Sequence, residues 1–585
     1  MDMVALSILD SRLVQIAREM GITLMKTSYS TIFNEGLDFS CGLGDPQGNL
    51  IGSAEFNPSQ IGGLPLVMRT CIEEIPLDSL EDGDVIVHND PYRGGMHTPE
   101  HSFIKPVFVD GQLVAFAVSV GHVAEVGGMV PGGFAGEATE IFHEGLRVPP
   151  VKIRRRGEDV ADIWKLMLAN YRTPRQNYGD FRALISSVDT GAERLAELVR
   201  EHGVAGFRRL VAELMDYAEA RMRAEIRAIP DGVYSFSDTM EDDGISDRPY
   251  TIAVDVFVQG DEVVVDFHRT DEQAQGPINA VLSVARSACY NAILHLTDPS
   301  IPKNSGAWRP IRVVAPPGRV VNCGYPAPEV GGNTETHIRI AHTVIGALSR
   351  ALPERAIASD GGTHSNFLFG AHDPRSDGYV VCYDFSGAGW GARSFADGNN
   401  AVNCINGNSR MSPVEVFETR FPWLVEQLRL VPDSGGPGRF RGGLALEKEM
   451  RARHRHHRLG DGRSAQDPAL RPVRRRAGPA RRVPGRSRRA RRMAGFLHRF
   501  RQALAQQVRQ RRDPRRGSRA DPHTRRWRLR PGPRARARAD RPGSPRGLDH
   551  TGRCRRRLRQ ALSGGPGCAS KSSTIPTRWR SAPSR

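Results

Sequence analysis

Two polar segments that follow apolar runs carry the side chains best suited to chemistry. The first is rich in glycine and contains His97 and Glu100, and the second contains His122 and Glu125. Imidazoles and carboxylates at the ends of neighbouring buried strands form divalent metal sites or acid–base pairs. Mixed ligands of this kind suit Mn, Zn or Fe. The sequence therefore predicts a divalent metal site with four ligands: His97, His122, Glu125 and Glu100.

Three carboxylates in or near these segments are candidates for catalysis: Asp90, Glu125 and Asp38. Each has the proton-transfer chemistry of a general acid or base. Asp38 has a structural alternative, because a carboxylate beside a turn often caps the turn. The whole group also has two alternatives to metal binding. The first is a hydrogen-bonded structural cluster beneath a loop, and the second is acid–base chemistry without a metal.

Five further polar residues are predicted to bind substrate: Arg172, Arg175, Asn177, Asn333 and Glu335. The arginines can hold an anionic carboxylate or phosphate through fork-like hydrogen bonds. A salt-bridge cluster between domains explains them equally well. Asn333 and Glu335 stand in a Gly-rich turn before a predicted helix, where the helix N-terminus favours an anion. Their alternative role is to cap that helix.

Two apolar runs are predicted to place the first cluster. Val85, Ile86 and Val87 form a short buried strand, and the run 113–120 forms a second strand that ends just before His122. A loop rich in Gly and Pro follows over residues 127–150. Loops of this length are uncommon in compact domains unless they cover a site.

The remaining pattern predicts a mixed α/β (α+β) protein of several layers. Apolar residues spaced by three or four predict a first helix over 5–26, and helices over 180–199 and 207–229 form a long helical hairpin split at Gly203. Alternating apolar residues from Tyr250 predict a β-hairpin that begins a second domain. We therefore expect an N-terminal domain at 1–240 with the predicted site, and a second domain at 241–450.

The chain changes character near residue 450. Residues 451–585 hold 42 of the 82 Lys and Arg residues but only 6 of the 65 Asp and Glu residues, so this segment carries +36 and the rest −19. It contains no Glu and shows no sustained periodicity. This composition predicts a disordered segment, and its Arg-rich runs indicate a GC-rich gene translated in a shifted frame. The alternative is a natural disordered tail that binds polyanions.

Sorting signals and cysteine spacing predict a cytoplasmic protein. No run of 18 apolar residues is present, and the N-terminus lacks a basic segment followed by a cleavage site. The eight cysteines contain no Cys-x-x-Cys pair, which is typical of free thiols in a reducing compartment.

Longer motifs make the chain recognisable. The run Asn-Asp-Pro-Tyr-x-Gly-Gly-x-His at 89–97 resembles the Asn-Asp-Pro-Tyr-x-Gly-Gly-Thr-His signature of the hydantoinase B/oxoprolinase family. The resemblance continues through further motifs of the chain, which lie at 138–147, 172–180, 331–336, 360–363, 413–418 and 433–443. It covers about residues 5–450 in order, and so many motifs in one order make the match highly specific.

The resemblance implies a function. Members of this family are one subunit, or one half, of ATP-dependent enzymes whose other half, hydantoinase A, resembles actin-like ATPases. The B half completes hydrolysis of a cyclic amide such as 5-oxoproline, a reaction of glutathione metabolism, or N-methylhydantoin. In related acetone and acetophenone carboxylases it completes carboxylation of a ketone, and one such carboxylase carries a metal in this subunit. We therefore expect a hetero-oligomer in which the partner subunit uses ATP, and we favour cyclic amide hydrolysis.

The chain departs from the family at its predicted ligands. The usual His-Leu-Pro-Asp reads His-Thr-Pro-Glu at 97–100, and the usual His-His-Ala-Asp reads His-Val-Ala-Glu at 122–125. A family histidine near position 59 is replaced by Ser59-Gln60. The glycine-rich ending of the family, of the type Pro-Gly-Gly-Gly-Gly-Tyr-Gly, is absent, which agrees with a shifted frame.

Two hypotheses from other functional classes stay open. The Arg-rich segment suits a basic protein that binds nucleic acid, with affinity falling steeply as salt rises. The chain also suits a non-catalytic scaffold subunit, in which His97 and His122 are dispensable for the activity of the assembled complex. No Gly-x-x-x-x-Gly-Lys-Ser/Thr phosphate loop is present, so the chain gives no sign of binding ATP itself.

Overall fold

A computed structural model describes residues 2–54, 56–376 and 378–453. The predicted disordered or frame-shifted segment therefore lies outside the described residues, except for 451–453. The predicted mixed helix and sheet class is confirmed. The division into domains at residue 240 stays a prediction.

A seven-stranded sheet occupies the first part of the chain. Its strands lie in the order β2-β1-β5-β4-β3-β6-β7, and all neighbours are antiparallel. They are β1 (Phe39–Gly44), β2 (Leu50–Ala54), β3 (Val85–His88), β4 (Glu100–Val109), β5 (Gln112–His122), β6 (Val151–Arg155) and β7 (Glu158–Asp159).

Three smaller sheets follow along the chain. The first has four strands in the order β11-β10-β9-β8, and its β9–β10 hairpin confirms the hairpin predicted from Tyr250. The other two sheets pair β12 with β13 and β14 with β15. The strands are β8 (Gly232–Met240), β9 (Tyr250–Gln259), β10 (Glu262–Asp266), β11 (Ile311–Val314), β12 (Phe367–Asp373), β13 (Gly378–Asp384), β14 (Trp423–Leu430) and β15 (Leu446–Ala452).

Helices cover both faces of the large sheet. The longest pair confirms the predicted helical segments joined at Gly203, although the first of them begins earlier, at Pro174. The helices are α1 (Met3–Thr27), α2 (Pro58–Ile61), α3 (Leu64–Glu74), α4 (Ala161–Ala169), α5 (Pro174–His202), α6 (Val204–Arg227), α7 (Leu282–Leu294), α8 (Ser305–Trp308), α9 (His337–Leu348) and α10 (Val414–Arg420).

Side chains alternate along the strands, so the two faces of the large sheet pack into two different hydrophobic clusters. Val87 and Phe103 pack with α1 and α5, whereas Ile86 and Ile104 face a cluster that includes α3, α7, α9 and the second sheet. Successive side chains of a strand point to opposite faces, so both faces are buried. The cluster that contains Ile86 and Ile104 includes residues from both halves of the described chain. No helix within the described residues is long and apolar enough to cross a membrane.

Helix α1 offers a direct test of this packing. Leu13 is fully buried, whereas Ile8 on the same helix is 55% exposed. We expect Leu13→Ala to lower the free energy of unfolding by about 2–5 kcal/mol, because it removes methyl groups and leaves a cavity. Ile8→Ala should change it by less than about 0.5 kcal/mol. Chemical denaturation of the full-length protein measures both, and equal losses would contradict the layer arrangement.

Candidate active site

Strand register brings three of the predicted residues to one edge of the large sheet. Glu100 opens β4 and is the direct cross-strand partner of His122, which ends β5. On the other side of β5, the His122 backbone N–H donates to the Asp38 carbonyl over 3.0 Å. Directly opposed side chains in antiparallel strands lie close together. Asp38, His122 and Glu100 therefore stand in a row across three neighbouring strands.

His97 joins this row from the loop before β4. Its ring centroid lies 4.9 Å from that of His122, and its Nε2 atom lies 3.5 Å from Glu100 Oε1. Its Nδ1 atom contacts the Val330 carbonyl at 3.3 Å. Sequence reasoning thus identified four residues that the structure does bring together. We call this group, Asp38, His97, Glu100 and His122, the central cluster.

The central cluster is deeply buried and incompletely hydrogen-bonded. His97 is fully buried, and the other three residues are at most 4% exposed. Within the described residues, four buried atoms of the cluster lack a hydrogen-bond partner: His97 Nε2, both ring nitrogens of His122 and Glu100 Oε2. A buried polar group without a partner costs about 1–3 kcal/mol. These atoms are therefore the strongest sign of a ligand in this part of the molecule.

Burial also sets the charge of the cluster. It lowers the pKa of His122 well below its usual value, and the neighbouring His97 acts in the same direction. Burial raises the pKa of Asp38 to about 7, with a further contribution from the Glu100 carboxylate. The His122 ring is consequently neutral at neutral pH, which is the form of imidazole that binds a metal.

Aromatic rings enclose the two histidines. Phe134, from the long loop after β5, lies 5.8 Å from His97 and 5.7 Å from His122 between ring centroids. Tyr383 of β13 lies 4.5 Å from His122. The loop that was predicted to cover a site thus places an apolar ring directly against the central cluster. Neither aromatic residue was singled out by the sequence, because neither belongs to a spacing pattern.

Two amide side chains fix the carboxylates. Gln60 donates from Nε2 to Glu100 Oε1 over 2.9 Å and to Asp38 Oδ1 over 3.3 Å. Asn333, a predicted substrate-binding residue, donates from Nδ2 to the same Glu100 oxygen over 3.0 Å. Asn57 Nδ2 also donates to Asp38, over 2.5 Å. Asn57 was missed because an isolated amide gives no motif signal, whereas Gln60 was noted only as part of the pair that replaces a family histidine, with no role predicted.

Glu125 lies in a different environment from the one predicted. Its Oε1 accepts from Gly127 N at 2.5 Å and from Arg172 Nη1 at 2.9 Å, and its Oε2 accepts from Gly132 N at 2.9 Å. These bonds hold the loop that carries Phe134. Both oxygens are used in this way, so we leave Glu125 out of the candidate metal ligands and catalytic groups.

The other predicted residues also make structural contacts. Arg172 donates to the carbonyls of Gly127 and Gly128, and Asn177 Nδ2 donates to the Glu125 carbonyl over 2.7 Å. Both therefore support the same loop. Arg175 is exposed at the start of α5.

The side-chain hydrogen bonds of Asp90 and Glu335 go to residues outside the central cluster. Asp90 Oδ1 accepts from Tyr92 N at 3.0 Å, which caps a short helical turn, and Asp90 Oδ2 accepts from Arg147 at 3.3 Å. Glu335 accepts from the Thr363 hydroxyl at 3.0 Å. Asp90 thus caps a helical turn and pairs with Arg147, and Glu335 contacts a side chain of the 360–363 motif.

Comparison with known proteins identifies one matching family and several similar proteins. The model of the Hydantoinase B/oxoprolinase family matches residues 2–468. The chain is 35% identical over 474 residues to caprolactamase subunit beta of Pseudomonas jessenii, covering 80% of this chain and 81% of that protein. It is 31% identical over 474 residues to 5-oxoprolinase 1 of Arabidopsis thaliana, covering 77% of this chain and 36% of that protein.

Solved structures agree with these matches. The crystal structure of ATP-dependent caprolactamase from Pseudomonas jessenii superposes with a TM-score of 0.74 at 34% identity, covering 77% of this chain and 79% of that one. A nucleotide-free acetone carboxylase structure gives a TM-score of 0.72 at 19% identity, covering 77% of this chain and 62% of that one. The second likeness shows the fold alone.

The role of Glu125 can be tested through the loop it holds. We expect Glu125→Gln to raise amide hydrogen exchange over residues 127–132, because the ion pair with Arg172 is lost and an acceptor of two backbone amides is replaced. Mass spectrometry of exchanged peptides measures the change. Glu140→Gln, at an exposed carboxylate nearby, should leave the exchange unaltered. Lost activity with unchanged exchange would instead assign Glu125 a direct chemical role.

Proposed function

The chain belongs to the hydantoinase B/oxoprolinase family, and on that premise we propose that it completes ATP-dependent hydrolysis of a cyclic amide. The named relatives include a caprolactamase subunit and a 5-oxoprolinase. The observation that carries the proposal is the central cluster, whose four side chains are buried and three of which, His97, Glu100 and His122, have polar atoms without hydrogen-bond partners. A purely structural role does not account for those unpartnered atoms.

We propose the central cluster as the site of a divalent metal. Two imidazoles and two carboxylates match the donor set of Mn, Fe or Zn. Within residues 2–54, 56–376 and 378–453, no three His, Cys, Asp or Glu side chains converge closely enough to hold an ion as they stand. The fit therefore rests on the identity and burial of the unpartnered donors. When bound, such a metal polarises a carbonyl or activates water.

The residues of the chain supply the remaining parts of the site. Gln60 and Asn333 hold Glu100 from two sides, and Asn57 and Gln60 hold Asp38. Asp38, with its raised pKa, can exchange a proton near neutral pH. The rings of Phe134 and Tyr383 exclude water from the histidines. Held polar groups in a dry, enclosed site are what catalysis of acyl transfer requires.

The partner and the location complete the proposal. We propose that a hydantoinase A-like ATPase subunit activates the substrate and forms a hetero-oligomer with this chain, as the subunit name of the caprolactamase relative suggests.

We also propose a cytoplasmic location, because the six cysteines of the described residues are free and buried. Ketone carboxylation is the alternative reaction. Nucleic-acid binding would depend on the Arg-rich segment, which lies outside the described residues.

The test is reconstitution of the full-length chain with its ATPase subunit. We expect ADP release and ring opening together with caprolactam, 5-oxoproline or a hydantoin. His97→Ala and His122→Ala should each lower kcat by at least about 10–100-fold, since even residues that only support a metal ligand typically contribute that much.

The exposed His202, at the end of α5, supplies a control for those variants, and His202→Ala should retain full activity. Bicarbonate-dependent turnover of acetone or acetophenone, without amide hydrolysis, would favour the carboxylase. Unaltered activity in both His97→Ala and His122→Ala would instead favour a scaffold subunit.

A further inference from the structure

Gln60 and Asn333 approach Glu100 from separate parts of the chain. Gln60 lies in the short helix α2, and Asn333 lies in a π-helical turn just before α9. Both donate their side-chain NH₂ group to Glu100 Oε1, over 2.9 Å and 3.0 Å. An ionised carboxylate only accepts hydrogen bonds, so it fixes which end of each amide faces Glu100. The carbonyl oxygen of each amide must then point elsewhere.

Those two carbonyl oxygens are buried and unused. Gln60 is 1% exposed and Asn333 is 5% exposed. Among the described residues, Gln60 Oε1 and Asn333 Oδ1 have no hydrogen-bond donor. Both acceptors belong to amides whose NH₂ groups contact Glu100, and Glu100 Oε2 is also unpartnered. A pair of buried, unpartnered acceptors beside a candidate reaction centre calls for a ligand that brings N–H or O–H donors.

We propose that Gln60 Oε1 and Asn333 Oδ1 accept hydrogen bonds from the ring nitrogen of the substrate. This inference rests on the proposed cyclic amide hydrolysis and names the part of the substrate that each residue recognises. In the overall reaction, the oxygen of water bonds to the carbonyl carbon and the C–N bond breaks. The nitrogen gains a proton and leaves as an amine, while the partner's ATP provides the driving force. The leaving amine carries the donors that these acceptors lack.

The contact predicts a substrate class. A ring amide brings one N–H hydrogen, which one of the two acceptors can take, and the amine formed on ring opening brings a further hydrogen for the other. An N-methyl amide has no hydrogen to donate before the ring opens, and a ketone has no N–H group. Sites built to pair with a donor discriminate strongly against an analogue that lacks it, because their polar groups are left unpaired. The geometry thus favours secondary cyclic amides over N-alkylated amides and ketones.

The same two residues also position Glu100, so the test must separate the two roles. Gln60→Glu and Asn333→Asp keep an oxygen acceptor but remove the NH₂ donor to Glu100. Gln60→Leu and Asn333→Leu remove both. If only positioning matters, all four variants lose activity equally on every substrate. If the carbonyl oxygens bind the ring nitrogen, only the Leu variants lose discrimination between N–H and N-methyl substrates.

The experiment compares caprolactam with N-methylcaprolactam in the reconstituted complex of full-length chains with ATP. We expect kcat/KM to favour caprolactam by about tenfold or more in the wild type, the cost of an unpaired buried acceptor. The ratio should fall towards one in Gln60→Leu and Asn333→Leu and persist in Gln60→Glu and Asn333→Asp. Gln47→Leu, at an exposed residue, is the control and should keep the wild-type ratio.

Two results would overturn the inference. The first is a wild-type enzyme that does not discriminate between the two lactams. The second is a ratio that persists in both Leu variants, which would indicate steric exclusion of the methyl group. Hydrolysis in either case leaves the proposed function intact.

If neither lactam nor any other cyclic amide is hydrolysed, the proposed function fails by itself. Calorimetric binding of the two lactams to the full-length chain then decides the inference. Tighter binding of caprolactam, lost in the Leu variants, supports it. Equal binding of the two lactams contradicts it.

Discussion

The backbone register of three antiparallel strands is the constraint on which the candidate site depends. Pairing of Glu100 with His122, and of Phe39 with Gly121, places Asp38, His122 and Glu100 side by side. Side chains alternate between the two faces of a sheet. A one-residue shift in the register of one strand would therefore move that strand's member of the row to the opposite face. The register of β4 and β5 continues without a shift from Glu100 to Val107, well beyond the polar end. The stability of the apolar sheet therefore guarantees the geometry of the polar cluster.

The surroundings keep that cluster dry and rigid. Glu125 and Arg172 anchor the loop that carries Phe134, and Tyr383 closes another side against His122. Burial in such surroundings is costly for polar groups, and a protein retains unpartnered ones chiefly where a ligand completes them. The two apolar clusters around the large sheet thus stabilise the fold, while one edge of that sheet holds a group of unpartnered polar atoms from His97, Glu100 and His122.

Much of this arrangement could be predicted from the sequence, and the limits have physical causes. Apolar runs identified β3 and β5, and His122 stands at the end of β5, whereas His97 was identified from its motif in the loop before β4. Glu125 lies only three residues after His122, but the chain turns at Gly127 and Gly128, both with positive φ, and the carboxylate folds back onto the loop. Gln60 was not identified because its role comes from contacts across 40 residues of sequence. Such contacts leave no local periodicity to detect.

Anomalous diffraction from crystals of the full-length chain grown with Mn²⁺ or Zn²⁺ tests the central claim most directly. The account predicts one strong peak at the edge of the large sheet, bounded by His97, His122, Glu100 and Asp38. Imidazole nitrogens and carboxylate oxygens should lie at about 2.0–2.2 Å from a bound zinc ion. A saturated protein whose only peak lies at another set of residues, or one with no peak between these side chains, would contradict the account.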